Sequence, residues 1–219
     1  MFSGIAHRYD LLNMLLSVGQ DRRWRRRAAQ LTRVRPGQSV LDICTGTGAL
    51  AAGLRARVGP QGRVVGLDLT EAMVVGARRR VPQVEFVVGD ALHLPFADAS
   101  FDAASMAFGL RNIADHQGAL SEMLRVLRPG GRAVILEFST VSRYLRPWYT
   151  LYNRTVIPVV ARGLLGKAGA YQYLTDSIAA FPAPLVVSRW LREAGFEGVR
   201  YQRLSLGIVA IHIGFRPRG

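Results

Sequence analysis

Apolar positions recur with two different periods along this chain, and the alternation of those periods predicts its architecture. Residues 40–44, Val40-Leu41-Asp42-Ile43-Cys44, form a short apolar run ending at a glycine-rich turn, the pattern of a buried strand. Leu50, Leu54 and Val58 then return at helical spacing. A second strand is predicted over 63–67, closed by Asp68, and a helix from about Thr70, whose hydroxyl suits an N-cap. A third strand over 84–88 leads to Gly89-Asp90, and a fourth covers 101–108. Leu120, Met123, Leu124 and Leu127 fall at i, i+3, i+4 and i+7, which predicts an amphipathic helix over 115–127. Pro129-Gly130-Gly131 is read as its stop, and 133–138 as a fifth strand.

After about residue 140 the rhythm changes. Residues 147–169 are aromatic, apolar and arginine-bearing without a sheet period, which suits helices inserted as a cover. A helix is predicted over 188–195, and 199–206 with 208–215, split by Gly207, read as an antiparallel hairpin. The first 35 residues look like two helices broken near Gly19. Apolar strands alternating with helices imply a parallel sheet covered on both faces. The expected fold is therefore one α/β, Rossmann-like domain. It has a mostly parallel seven-stranded sheet, a C-terminal antiparallel hairpin and helices on both faces. Its parts are N-terminal helices (1–35), a ligand-binding core (36–139), a helical cover (140–183) and a closing helix and hairpin (184–219).

Composition narrows the class. Of the 219 residues 49% are hydrophobic and 20% charged, too apolar for a disordered chain. Cys44 is the only cysteine, so no disulfide forms within the chain, and this suits a reducing cytoplasm. No targeting pattern opens the sequence, and the most apolar long stretch, 155–166, is interrupted by Pro158 and Arg162. Charge is the unusual feature: 29 basic against 15 acidic residues give +14, and every cation but Lys167 is arginine. Residues 1–35 carry a net +6, residues 36–139 none, and residues 140–219 a net +8. Such an excess suggests nucleic acid or a lipid surface as partner.

The neutral middle carries the chemistry. Gly46 and Gly48, in the loop after the first strand, permit a tight turn and close approach of a ligand to backbone N–H groups. Asp68 ends the second strand, where a carboxylate can accept both hydroxyls of a ribose. Asp90 ends the third, placed for an adenine edge. Together they point to an adenosine ligand. Either aspartate alone could instead be a helix cap. A dinucleotide protein would share Gly46, Gly48 and Asp68, with Ala51 closing the helix. The acidic Asp42 in the first strand, Asp90 and the terminal hairpin fit S-adenosylmethionine methyltransferases better.

Motifs outside this core narrow the family. Ile5-Ala6, Tyr9-Asp10, Asn13, Ser17, Gly19 and Trp24 resemble the N-terminal signature of the quinone-biosynthesis C-methyltransferases. Phe108-Gly109-Leu110-Arg111-Asn112 matches their fourth-strand loop, and Arg125 to Gly131 followed by Glu137-Phe138-Ser139 their approach to the fifth strand. Tyr173-Leu174, Ser177-Ile178, Phe181-Pro182, Ala194-Gly195-Phe196 and Gly207 with Ala210 and His212 complete the pattern, which runs from Phe2 to Phe215. The resemblance implies S-adenosylmethionine as cofactor, S-adenosylhomocysteine as product, no metal, and a prenylated quinol of menaquinone or ubiquinone synthesis as acceptor. It implies cofactor contacts from Thr47, Asp68, Asp90, Ala91 and Ala107, and Asp42, Gly46, Gly48 and Leu69 complete the expected cofactor-binding set. Departures are Ala49 where many members have Asp, Ala107 where some have Ser, Asp21 for His and Arg128 for Lys.

For catalysis, Tyr9 and Asp10 are expected to close over the site, Asp10 taking a ring-hydroxyl proton directly or through water. An N-cap role is the equal alternative for Asp10. Arg111 is expected to stabilise a developing phenolate and Asn112 to orient it, against polar capping of the following helix. His212 reads as structural, and Cys44 as a small core residue inside the first strand. Tyr144, Trp148, Tyr149, Tyr152, Tyr171 and Tyr173 line an entrance for a prenyl tail or simply pack the cover.

Two other functions stay open. One is an RNA methyltransferase, motivated by +14 but lacking the Pro-Pro-aromatic and Pro-Cys elements of that class. The other is a silent cofactor-binding subunit, motivated by Ala49 and Ala107. The basic flanks favour an anionic membrane surface over nucleic acid, so a cytoplasmic chain peripheral to the inner face of the membrane is expected, with a homodimer left open.

Overall fold

The computed structural model describes residues 17, 19–139, 176–178 and 180–218. Tyr9, Asp10 and the aromatic cover from Tyr144 to Tyr173 lie outside the described residues. The chain runs through α1 (Asp21–Thr32), β1 (Ser39–Ile43), α2 (Ala49–Val58), β2 (Arg63–Asp68), α3 (Glu71–Arg80), β3 (Glu85–Val88) and β4 (Phe101–Ala107). It continues through α4 (His116–Val126), β5 (Leu127–Phe138), α5 (Pro184–Glu193), β6 (Glu197–Leu204) and β7 (Val209–Phe215). The seven strands form one sheet in the order β3-β2-β1-β4-β5-β7-β6. The first five pair in parallel, and β7 runs antiparallel between β5 and β6, as expected.

Because successive strand residues point to opposite faces, the central strands must be apolar on both. Val40 and Val134 face one core with Leu50, Leu54 and Val58 of α2. Leu41 and Ile135 face the other with Leu120 and Met123 of α4 and Val187 and Leu191 of α5. Trp24 is buried in the first core and its indole N–H donates to Ser205 Oγ at 2.8 Å, which ties α1 to the turn between β6 and β7.

Three local expectations change. Helix α4 ends at Val126, before Pro129-Gly130-Gly131, and those residues lie inside β5. The register against β4 jumps there, from Phe101 opposite Leu127 to Ala103 opposite Arg132, so the Pro-Gly-Gly turn is a bulge in a longer strand. Helix α5 starts four residues before the predicted 188, with Pro184 in its first turn, where the missing N–H costs nothing. Thr70 occupies the N-cap position of α3 but makes no side-chain cap bond; its own N–H is taken by Asp68.

His212 is buried on β7 with Nδ1 3.3 Å from the Ser188 hydroxyl of α5, the satisfied structural histidine that the strand phase implied. Burial pushes its pKa down to about 4. The neutral ring is thus the folded form, and the unfolded chain binds the extra proton first. Stability from this residue is complete above pH ~6.5 and is lost as the pH falls toward 4, by about 3 kcal/mol at most. Urea denaturation of the wild type and His212→Gln between pH 7 and 4.5 checks this. The wild type should lose roughly 2–3 kcal/mol more than the variant, and equal losses would refute the assignment.

Candidate active site

From β1 the chain moves outward through β2 and β3, then returns to lay β4 on the other side of β1. The connections leaving β1 and β4 therefore diverge, and a crevice opens beyond their carboxyl ends. Asp42 sits at this seam, buried, opposite Gly66 on β2 and Ser105 on β4. The hydroxyls of Thr45 and Ser105 each donate to its carboxylate at 2.7 Å. Burial pushes the Asp42 pKa up to about 6, against the lowering effect of those two hydroxyls and of Arg25.

Beyond β1 the backbone turns sharply, with positive φ at Cys44 (54°), Gly46 (57°) and Gly48 (77°). The Gly46 N–H donates to Asp68 Oδ2 at 2.8 Å and the Thr70 N–H to Oδ1 at 3.0 Å. One carboxylate at the end of β2 thus fixes two loops and still lies on the cavity wall. A Cβ at Gly66 would come within 2.5 Å of the Phe86 ring and 2.9 Å of Thr45 Oγ1, so only glycine lets the loop settle here. Asp90, half-buried, accepts from the Leu92 N–H at 2.9 Å and also lies on the wall.

The cavity brings together Gly46, Thr47, Asp68, Leu69, Asp90, Ala91 and Ala107 of the residues expected at a cofactor, and Asn112 of those expected in catalysis. Asp42 and Gly48 are not on its wall. Asp42 acts through Thr45 and Ser105, and Gly48 turns the chain into α2 against the Phe86 ring. Arg111 also departs from expectation. Its side chain is 1% exposed, and its guanidinium donates to Glu137 Oε1 at 2.9 Å and to the Phe108 carbonyl. This cation is neutralised inside the protein and shapes the Phe108 turn. Cys44 lies just past β1 on the cavity wall, and burial, reinforced by nearby carboxylates, pushes its thiol pKa far up. It is a neutral wall atom, with no thiolate for nucleophilic chemistry.

Arg25, Phe108 and Ile113 also line the wall and were not anticipated as site residues. The run Arg22-Arg23-Trp24-Arg25-Arg26-Arg27 hides which arginine turns inward. The burial of Trp24, Ala28 and Ala29 decides it, and the Arg25 guanidinium then lies over the Phe108 ring at 5.1 Å. That signal was available in the apolar spacing of α1.

The family model for ubiE/COQ5 methyltransferases matches residues 1–216. A demethylmenaquinone methyltransferase of Thermus thermophilus is 47% identical, over 99% of this chain and 100% of its own. One of Mycobacterium tuberculosis is 45% identical, over 99% and 91%. Among solved structures, a SAM-dependent methyltransferase of Thermotoga maritima superposes with a TM-score of 0.68 at 23% identity, covering 98% of this chain and 97% of that one. The [4+2]-cyclase SpnF also reaches 0.68, at 20% identity, covering 90% of this chain and 81% of that one. At these identities the two structures speak for the fold alone.

Removing the Arg111 cation leaves the Glu137 carboxylate buried with only backbone donors, a loss of roughly 3–5 kcal/mol. Arg111→Met is therefore expected to lower the midpoint of thermal unfolding by about 10 °C. A shift below about 2 °C would show that the pair does not hold this wall.

Proposed function

For a chain that belongs to the ubiE/COQ5 methyltransferase family, we propose S-adenosylmethionine-dependent C-methylation of a prenylated demethylmenaquinol ring as the reaction. The observation that carries it is the Asp68 carboxylate, anchored by two backbone N–H groups and held on the cavity wall where strand order reverses. Bound S-adenosylmethionine supplies a sulfonium methyl group: a nucleophilic ring carbon forms the new C–C bond, the S–CH3 bond breaks, and the ring proton leaves to a base.

The chain's own residues sort along the sheet. Asp90 beyond β3 suits the adenine edge, and Asp68 beyond β2 suits the ribose hydroxyls. Gly46 lets backbone approach the ligand, and Arg25, over Phe108, complements a carboxylate at the β4 end. Ala91, Ala107, Ile113 and Met73 supply apolar wall. Ala49 and Ala107 remove polar contacts without disturbing the Asp68 anchor, so the silent-subunit reading gains nothing from them. Asn112, exposed at the wall, is placed to orient a ring hydroxyl, and Arg111 acts as a positioning residue. Asp10 and Tyr9 are assigned as proton acceptor and its partner on the resemblance alone.

The menaquinone precursor is preferred over the ubiquinone one because the relatives described above bear that name. No helix among the described residues is long and apolar enough to cross a membrane. We place the chain peripherally at an anionic lipid surface, where a prenylated quinol resides, on the strength of the +6 and +8 flanks.

Calorimetry and a methylation assay on a short-chain demethylmenaquinol under reducing conditions test this reading. Asp68→Ala should weaken S-adenosylmethionine binding about 100-fold, the worth of two hydrogen bonds to a charged acceptor. A wild-type protein that binds the cofactor yet never methylates the quinol would sink the proposal.

A further inference from the structure

A second concavity runs along the seam of α1 and α2 and shares Arg25 and Ala49 with the cofactor cavity. It has a volume of about 650 Å³, within the roughly 300–1,000 Å³ of small-ligand sites. Arg22, Arg25, Arg26 and Gln30 rise from one face of α1, and Gly53 and Arg57 from one face of α2, with Arg80 closing the end of α3. Gly53 of α2 lies against Ala29 of α1, where an added Cβ would sit at an ordinary contact distance of 3.5 Å. Arginines line both walls of the seam. Five guanidinium groups face one carboxylate, Asp21.

An internal role would need internal acceptors. Among the described residues none of Arg22, Arg25, Arg26 and Arg57 forms a salt bridge, whereas arginines elsewhere in the sheet layers do. The buried Nε–H groups of Arg25 and Arg57 moreover find no acceptor among the described residues. A buried donor left unpaired costs about 1–3 kcal/mol, and a native fold rarely keeps two in one place without use. An incoming anion lets those side chains turn their donors onto oxygen while neutralising the groove. Guanidinium forks match phosphate oxygens in pairs, which a scattered basic surface does not.

We propose that the α1–α2 groove is a binding site for phosphate esters, separate from the cofactor cavity and meeting it at Arg25. As the attachment point for a phospholipid headgroup it rests on the peripheral-membrane reading above; as a phosphate site it does not.

The test uses the full chain and the charge-reducing pair Arg26→Gln with Arg57→Gln, neither of which lines the cofactor cavity. A matched control, Arg23→Gln with Arg79→Gln, removes the same charge from exposed positions off the groove. Pyrophosphate is titrated calorimetrically at low salt, and co-sedimentation is measured with phosphatidylglycerol–phosphatidylcholine vesicles and with pure phosphatidylcholine. Pyrophosphate should bind the wild type and the control alike and the groove variant at least tenfold more weakly, with S-adenosylmethionine affinity unchanged in all three. If the headgroup is the source, phosphatidylglycerol vesicles capture the wild type, pyrophosphate competes, and the groove variant is released. Pyrophosphate binding without vesicle capture supports a soluble phosphate ligand and defeats only the membrane reading. Equal behaviour of groove variant and control overturns the site, even if vesicles still capture the chain through its general charge. A single-stranded RNA bound equally by both variants and indifferent to pyrophosphate overturns it as well.

Discussion

Asp42 stands at the one seam where neighbouring parallel strands send their connections in opposite directions. Its carboxylate reaches sideways to Ser105 on β4 and forward to Thr45 in the loop. A charged group there is costly, which is why its pKa rises, but the two hydroxyls leave it satisfied. The arrangement makes the loop's course a consequence of the strand register: Asp42 pairs with Ser105 across β1–β4, and Thr45 can only reach back if the chain turns at Cys44. Gly66, the third member of the row, yields its side-chain space to Phe86 and Thr45. The crevice is therefore held open by a polar clamp inside an otherwise apolar layer.

The clamp and the anchor work in sequence along the sheet. Asp42 fixes where the loop begins, and Asp68 fixes where it turns, through the Gly46 N–H. On the far side the Arg111–Glu137 pair performs the same service for the Phe108 turn, which carries its own positive φ of 61°. The cavity is acidic at the β3 and β2 ends and basic at Arg25. Under the proposed function that polarity would suit a ligand with a nucleoside at one end and an amino-acid carboxylate at the other, and the walls would then orient it before any contact with the acceptor.

Much of this was legible in the residues. The succession of continuous apolar runs and helically spaced apolar positions is strong because parallel strands buried on both faces must be continuously apolar, as β1 and β2 are. The strand-end positions of Asp68 and Asp90 were readable because each carboxylate closes an apolar run, and both lie on the cavity wall. What failed did so for tertiary reasons. Whether Arg111 meets substrate or an internal carboxylate depends on Glu137, 26 residues away on the next strand. Whether Asp42 touches a ligand or a neighbouring strand depends on Ser105, 63 residues away. Pro129-Gly130-Gly131 reads as a helix stop and also permits a bulge, and only the β4–β5 register separates the two. Cys44 lies one residue beyond a strand whose end no local signal marks.

The +14 looks different once its partners are known. Four arginines of the neutral middle meet carboxylates: Arg63 with Glu85, Arg125 with Asp98 and Glu122, Arg128 with Asp102, and Arg111 with Glu137. Those four are neutralised by contact as well as by count. The arginines of α1 have no such sinks within the described chain, and α2 adds Arg57 to their side. Arg22, Arg25 and Arg26 on the α1 wall and Arg57 on the α2 wall thus line one groove. Like charges gathered there repel one another, and an anion entering from outside would relieve that repulsion. Part of the N-terminal excess is thus gathered on one surface, and that surface meets the cofactor cavity at Arg25 and Ala49.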